Sequence, residues 1–281
     1  MMNFDTKLGN FFKTNNYTPQ IIKKVLLTLV IVYAIYVYYY GISYIISSII
    51  NIIVISVVNI FVKFLHYKII KKEEGIFSII LNDYTLVNGI ILAIILPRSI
   101  SISITIGITL FSSILLLILE EFVDIKINYV AFTFLLFIIS LNLIININQE
   151  INIFIILIFI MINAFLSIND CIKIDITLRY ILGIIVLITL YSCINDFNVL
   201  NNLKNIFLLP NLVFATYIIN DNKTTPVIPI SKIIYVIVIT VSSILSITNK
   251  KIYIVLVSIV LYNVLSQIID NIVLKMNKMK K

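Results

Sequence analysis

From Val25 to Val62 the chain runs without a charged residue. As a single α-helix that stretch would be about 57 Å long, whereas the hydrocarbon core of a bilayer is about 30 Å thick. The stretch must therefore fold back on itself. Tyr38-Tyr39-Tyr40-Gly41 is where it can do so, because tyrosines favour the membrane interface and glycine permits the turn. This predicts helix 1 over about 24–40 and helix 2 over about 42–63.

The later runs follow the same logic. Ile90–Leu96 and Ile153–Ile162 are continuously apolar, not alternating as the strands of a membrane barrel are. In lipid only a helix then satisfies the backbone, even though isoleucine is a modest helix former in water. The remaining spans read as helix 3 (82–97), helix 4 (100–119), helix 5 (129–147), helix 6 (151–168), helix 7 (177–195), helix 8 (204–219), helix 9 (231–248) and helix 10 (252–271). Helices 3 and 8 are short; one contains Asn88-Gly89 and the other Pro210. The expected fold is all-α: a polytopic integral membrane protein of about ten spans, one membrane domain over residues 1–281. With 61% hydrophobic and 12% charged residues, against about 25% charged in soluble domains, an ordinary soluble enzyme and a disordered chain are both excluded. The abundance of Ile, Asn and Lys is what AT-rich codons supply and carries no functional information.

The net charge is +8, but the basic residues sit between apolar runs, so they read as topology determinants and not as a nucleic-acid surface. With the N-terminus in the cytosol, the cytosolic segments hold 17 Lys and Arg and the external ones hold Arg98, Lys204, Lys250 and Lys251. That bias predicts a plasma-membrane protein with both termini cytoplasmic. The N-terminus begins polar and the first apolar run lacks a small-residue cleavage site, so a cleavable signal peptide is not expected. Cys171 and Cys193 flank one span, which argues against a disulfide, and no metal-ligand spacing occurs. His66 falls in a basic loop, where solvation is the plain reading.

Five helices precede residue 149 and five follow, so the second half enters the membrane from the opposite side. This is the arithmetic of an inverted repeat, about 20–148 and 149–272. Polar stretches interrupt both halves: Asn82-Asp83-Tyr84-Thr85 opens helix 3 and Asn220-Asp221-Asn222-Lys223-Thr224-Thr225-Pro226 closes helix 8. Interrupted helices in corresponding halves point to a transport site. Asp83 also reads as a plain helix N-cap. Asp221 sits where the helix dipole disfavours an anion, so it needs a partner: Lys223, a bound cation, or unwound backbone. Asn263 and Asp270 share a face of helix 10; Asp270 reads as interfacial, and the deeper Asn263 wants another helix or a polar pathway. Catalytic triads, phosphate loops and metal clusters are missing from the sequence.

At these residues the chain resembles a known family. Thr85-Leu-Val-Asn-Gly-Ile-Ile-Leu-Ala-Ile-Ile-Leu-Pro97 resembles the S-x-L-V-T-G-L-L-L-A-L-L-L-P helix of the RnfD/NqrB family, the membrane subunits of Rnf and Na⁺-translocating NADH:quinone reductase complexes. Ala215-Thr-Tyr-Ile-Ile-Asn-Asp-Asn-Lys-Thr-Thr-Pro226 resembles A-F-F-I-A-T-D-P-V-T-S-P, with Asp221, Thr224 and Pro226 on its Asp, Thr and Pro. Tyr262-Asn-Val-Leu-Ser-Gln-Ile-Ile-Asp270 looks like M-N-A-L-V-P-L-I-D, with Asn263 and Asp270 in place. Thr18-Pro19 and Lys23-Lys24, followed by two helices joined at a Tyr-Gly turn, also fit.

The resemblance implies ten helices in an inverted repeat and a subunit of a redox-driven pump, with other membrane subunits as partners, Na⁺ or H⁺ as the ion and FMN or riboflavin as cofactor. The candidate polar path then comprises Asp83, Thr85, Asn88, Gly89, Asp221, Thr224, Thr225, Asn263 and Asp270. Departures are equally visible. The connection between helices 5 and 6, around Asn148-Gln149-Glu150, holds no threonine, so covalent FMN by the family's usual route is not expected. Glu120–Asn128 stands where the family has a Gly-rich loop, with Asn128 near the family's Asn, and Asp83 lies about one residue out of family register. The alternative is a stand-alone inverted-repeat transporter or channel that has lost the redox role, or a scaffold for partner subunits.

Overall fold

The computed structural model describes residues 17–41, 43–66, 84–96, 100–123, 125–141, 153–195, 199, 209–221, 224–226, 228–249 and 253–279. Among them the regular structure is helical throughout. The elements are α1 (Tyr17–Tyr40), α2 (Ser43–His66), α3 (Thr85–Ile95), α4 (Ile102–Phe122), α5 (Tyr129–Leu141), α6 (Ile153–Ile168), α7 (Ile174–Ile194), α8 (Leu209–Val213), a π-helical turn (Phe214–Ile218) that continues α8, α9 (Pro229–Asn249) and α10 (Tyr253–Met279).

Each element overlaps a helix expected from the apolar runs, and the ends differ where polar residues extend them. Helix α1 begins at Tyr17 and α10 continues to Met279, because short polar stretches outside an apolar run can still propagate a formed helix. His66 closes α2 instead of lying in a loop. The predicted ends of helices 5 and 8 at 142–147 and 204–208 lie outside the described residues. The fold-back at Tyr40-Gly41 is as expected: Gly41 adopts φ +80 and its N–H donates to Val37 O at 2.9 Å, a left-handed helix end that glycine takes without steric cost. Cys171 and Cys193 lie at opposite ends of α7.

Among the described residues, four helices are long and apolar enough to cross a membrane, over Pro19–Tyr39, Ile102–Glu120, Ile174–Ile194 and Pro229–Ser246. Shorter apolar stretches occupy α2, α3, α5, α6 and α10. Large apolar side chains face outward along these helices, among them Leu27, Phe111, Met161, Val186 and Leu265. Polar side chains such as Asn59, Thr105, Thr109, Ser112 and Thr133 face inward. That distribution suits an apolar surrounding, in which inward polar groups must find partners within the protein. In α4 they do so locally: Thr105, Thr109 and Ser112 return their hydroxyls to carbonyls three or four residues earlier. Ser112 then accepts from Thr133 on α5 at 3.1 Å.

Helix α2 packs on α3 and α4, α4 on α5, and α1 on α3. In the second half α7 packs on α9 and on the π-turn, and α9 on α10. Between the halves α5 packs on α10 and α1 on α6. The α2–α3 contact is close at Gly89, where an added Cβ would fall 2.5 Å from Ser56 Oγ. One end of the molecule gathers the start of α3, the ends of α2 and α4, the start of α5 and the exit of the π-turn. Lys173 between α6 and α7, Asp175 at the start of α7, Lys232 at the start of α9 and Gln267 on α10 join the same end through their hydrogen bonds. The charged residues whose side chains are described belong to the half of their helix nearer this end, or to the loops there.

Candidate functional site

At that end a cleft of about 80 Å³ opens between the two halves of the chain. Asn59, Tyr84 and Asn88 line it from α2 and α3, Glu120, Lys126 and Tyr129 from the α4–α5 region, and Asp221 and Thr224 from beyond the π-turn. Its volume suits an ion with a few waters. It is far below the roughly 300–1,000 Å³ of pockets for drug-sized ligands, so the cleft does not fit a flavin ring system.

The wall carrying Asp221 is the end of a helix buried inside the protein. The last carbonyls of a helix have no intrahelical donors, and here side chains supply them. Asn220 Nδ2 donates to Ala215 O at 3.0 Å and Thr216 O at 3.4 Å. Asn128 Nδ2 donates to Ile218 O at 3.0 Å, and the Tyr235 hydroxyl donates to Ile219 O at 3.0 Å. The π-turn itself closes with Ile219 N–H to Phe214 O. These caps come from α5, from α9 and from the chain's own exit.

The chain then turns at Asp221. Thr224 and Thr225 N–H both donate to Asp221 O, as does the Thr225 hydroxyl at 2.6 Å. The Asp221 carboxylate accepts from Thr224 Oγ1 at 2.9 Å and Asn128 Nδ2 at 3.3 Å. Thr224 and Asn128 are thus among the groups that hold this anion just past a helix C-terminus, the end whose dipole is itself negative. Glu120 and Lys126 stand on the same cleft, so its lining carries two carboxylates against one ammonium.

Behind this turn sits Lys173. Its ammonium donates to Thr225 O and Oγ1, both at 3.0 Å, and to Pro226 O at 3.2 Å. Burial pushes Lys173 down to about 8, Lys232 pushes in the same direction, and Asp221, Asp175 and Asp270 pull it back up. Lys232 pairs with Asp175 at 3.2 Å beside it. On the opposite wall Asn128 Oδ1 caps α5 through Ala131 N–H at 2.8 Å. The Lys126 backbone is clipped to the Gln267 side chain at both its N–H and its C=O.

The structure therefore brings Asn88, Asp221 and Thr224 to one cleft. Gly89 lies against Ser56 on α2 instead, and Thr225 braces the turn against Lys173. Thr85 begins α3. Asp83 and the possible partner Lys223 lie outside the described residues. Asn263 and Asp270 do not line the cleft. Asn263 is fully buried on α10, and neither end of its amide finds a hydrogen-bond partner among the described residues.

The sequence reading named Asn220 only as part of the polar stretch after helix 8, gave no site role to Asn59, Glu120, Lys126, Tyr129, Asn163 or Lys173, and reached Asn128 only through the family resemblance. Asn128 did carry a signal of its own: an asparagine just before an apolar run is a helix N-cap. Comparison with family models and with curated proteins finds no match to this chain.

Proposed function

We propose that the chain is an RnfD-like membrane subunit of a redox-driven, ion-translocating electron-transport complex. In this reading ten spans form a 5+5 inverted repeat in the cell membrane, with both termini cytoplasmic and other membrane subunits as partners. The chain's own part is the path for Na⁺ or H⁺, entered at the cleft. One observation carries the reading. Polar residues from both halves, Asn88 of α3 and Asp221 and Thr224 beyond the π-turn, meet in a single ion-sized cleft.

Two further features support it. The packing pairs recur between halves: α2 on α4 matches α7 on α9, α4 on α5 matches α9 on α10, and α5 on α10 and α1 on α6 join expected counterparts. The described basic residues lie at the end where the cleft opens, the end that the positive-inside rule assigns to the cytosol, while Arg98, Lys204, Lys250 and Lys251, expected at the other end, lie outside the described residues. When bound, FMN or riboflavin would supply the electron transfer, and the cleft is too small to hold either.

A stand-alone transporter or channel is the second reading. It is favoured by the cleft's size and by the absence of threonine from residues 146–150. The test uses the complex isolated from native membranes through a tag on this chain. Flavin absorbance is expected, along with Na⁺ or H⁺ uptake into proteoliposomes on addition of reductant. Asp221→Asn is expected to lose uptake and keep the flavin. A flavin-free chain that moves the ion unaided would select the second reading. Redox-coupled transport that survives Asp221→Asn would remove the cleft from the path.

A further inference from the structure

We propose that a narrow hydrated seam leaves the cleft along the π-turn and reaches Asn163 on α6, wide enough for water and a small monovalent cation. Its use as a cation route rests on the ion-path reading above; its hydration does not.

Two buried amide oxygens point to it. Asn220 is 3% exposed, and its Oδ1 accepts no hydrogen bond from the described residues; nor does Asn163 Oδ1. Buried acceptors are almost always paired, and in a polar interior the missing donor is ordinarily a bound water. Neither amide can be turned round to cure the defect. Asn163 Nδ2 donates to Phe159 O at 2.8 Å and Thr216 Oγ1 at 3.0 Å. Asn220 Nδ2 donates to the Thr177 hydroxyl, Ala215 O and Thr216 O. A rotated amide would set oxygen against these carbonyls. Both oxygens are therefore fixed, and both amide nitrogens contact Thr216 in the middle of the π-turn.

Asn220 immediately precedes Asp221, so the seam begins one residue from the cleft lining. It also runs inward: Asn163 lies five residues before the end of α6, roughly 8 Å along the helix axis. The groups named along it are amides, hydroxyls and backbone carbonyls without a carboxylate. Such a lining can replace part of the hydration shell of a monovalent ion, whereas a small divalent ion such as Mg²⁺ sheds water reluctantly. π-Turns recur at functional sites, and in this one Thr216 contacts both amides.

The test is silver reactivity in the full chain, with Cys171 and Cys193 replaced by alanine, reconstituted in proteoliposomes. Ag⁺ approximates a small monovalent cation and reacts with thiols it can reach. Asn163→Cys is expected to react at least 100-fold faster than Ile162→Cys, the adjacent position packed at 3% exposure in the apolar core. Thr177→Cys against Ile176→Cys repeats the comparison if Asn163→Cys does not fold. Equal rates within the folded pair would overturn the seam. Fast silver reaction combined with unchanged cation flux in Asn163→Leu would overturn its use as the route. If the parent chain carries no cation at all, the ion-path reading fails while the silver rates still decide the hydration.

Discussion

Helices α3 and α8 would be counterparts in the proposed repeat, yet their polar breaks sit at opposite ends. Helix α3 is preceded by its polar residues, from Tyr84 back, whereas α8 is followed by its own, from Asn220 onward. The two breaks are therefore not at equivalent positions of that repeat. Because counterparts in an inverted repeat run in opposite directions, the start of one and the end of the other come to the same end of the molecule. The walls are also built differently. Helix α3 is positioned by a small residue, Gly89, pressed onto Ser56. The π-turn is positioned by amides and a phenol that cap its carbonyls. Close packing needs no polar partner, but a buried helix end does, so the second wall should be the more fragile.

Asn128→Ala should test that difference most severely. It removes the α5 cap, about 1 kcal/mol, and leaves Ile218 O and the Asp221 carboxylate each short of a donor, about 1 kcal/mol or more apiece. A loss near 3 kcal/mol is expected in reversible unfolding from mixed micelles. A loss no larger than that of an exposed cap would mean that α5 does not hold the π-turn.

Lys173 gives the next largest effect, and it depends on pH. Its proton is held at about 8 in the folded protein against an ordinary 10.5. Between those values the unfolded chain holds more protons, so stability from this group rises with pH, being least below about 8 and complete above 10.5. The full shift would be worth about 3 kcal/mol, and partial exposure reduces it to about 2 kcal/mol. Micellar unfolding followed from pH 7.5 to 10.5 should show the rise, and Lys173→Met should flatten it. An unchanged rise in Lys173→Met would assign it to another group.

Tyr235→Phe leaves Ile219 O without its phenolic donor and should cost about 1.5 kcal/mol in the same assay. A neutral result would mean that water reaches that carbonyl. Gly89→Ala on the other wall should cost about 1 kcal/mol or less, since Ser56 Oγ must rotate away while alanine favours the helix. Ser56→Ala should reverse the sign of Gly89→Ala in a double-mutant cycle. Additivity of the two changes would show that the walls do not differ in the way described.

Much of the helical layout was legible in the sequence. The apolar runs located segments that match α1 to α10, Gly41 marked the turn, and the charges marked one end. Part of the site was legible too: Asn88, Asp221 and Thr224 stand out as polar residues interrupting apolar runs. Lys173 could not be read in the same way. In the sequence it is one basic residue among many at a helix start, and only its place behind Thr225 and Pro226 gives it a role. Asn163 likewise reads as a stray amide in an apolar helix until Thr216 is beside it.

The sequence by itself determined that this chain is a set of apolar helices with most of its charges between them. That information is local, because hydropathy over a run and the reach of a helix depend on neighbouring residues alone. The tertiary structure decided which polar residues meet. Asn128 and Ile218 are 90 residues apart in the chain, Lys173 and Thr225 are 52 apart, and Asn163 and Thr216 are 53 apart. Such pairings follow from how helices pack and in which direction each runs, and a buried polar atom has a defined partner only once that packing is in place.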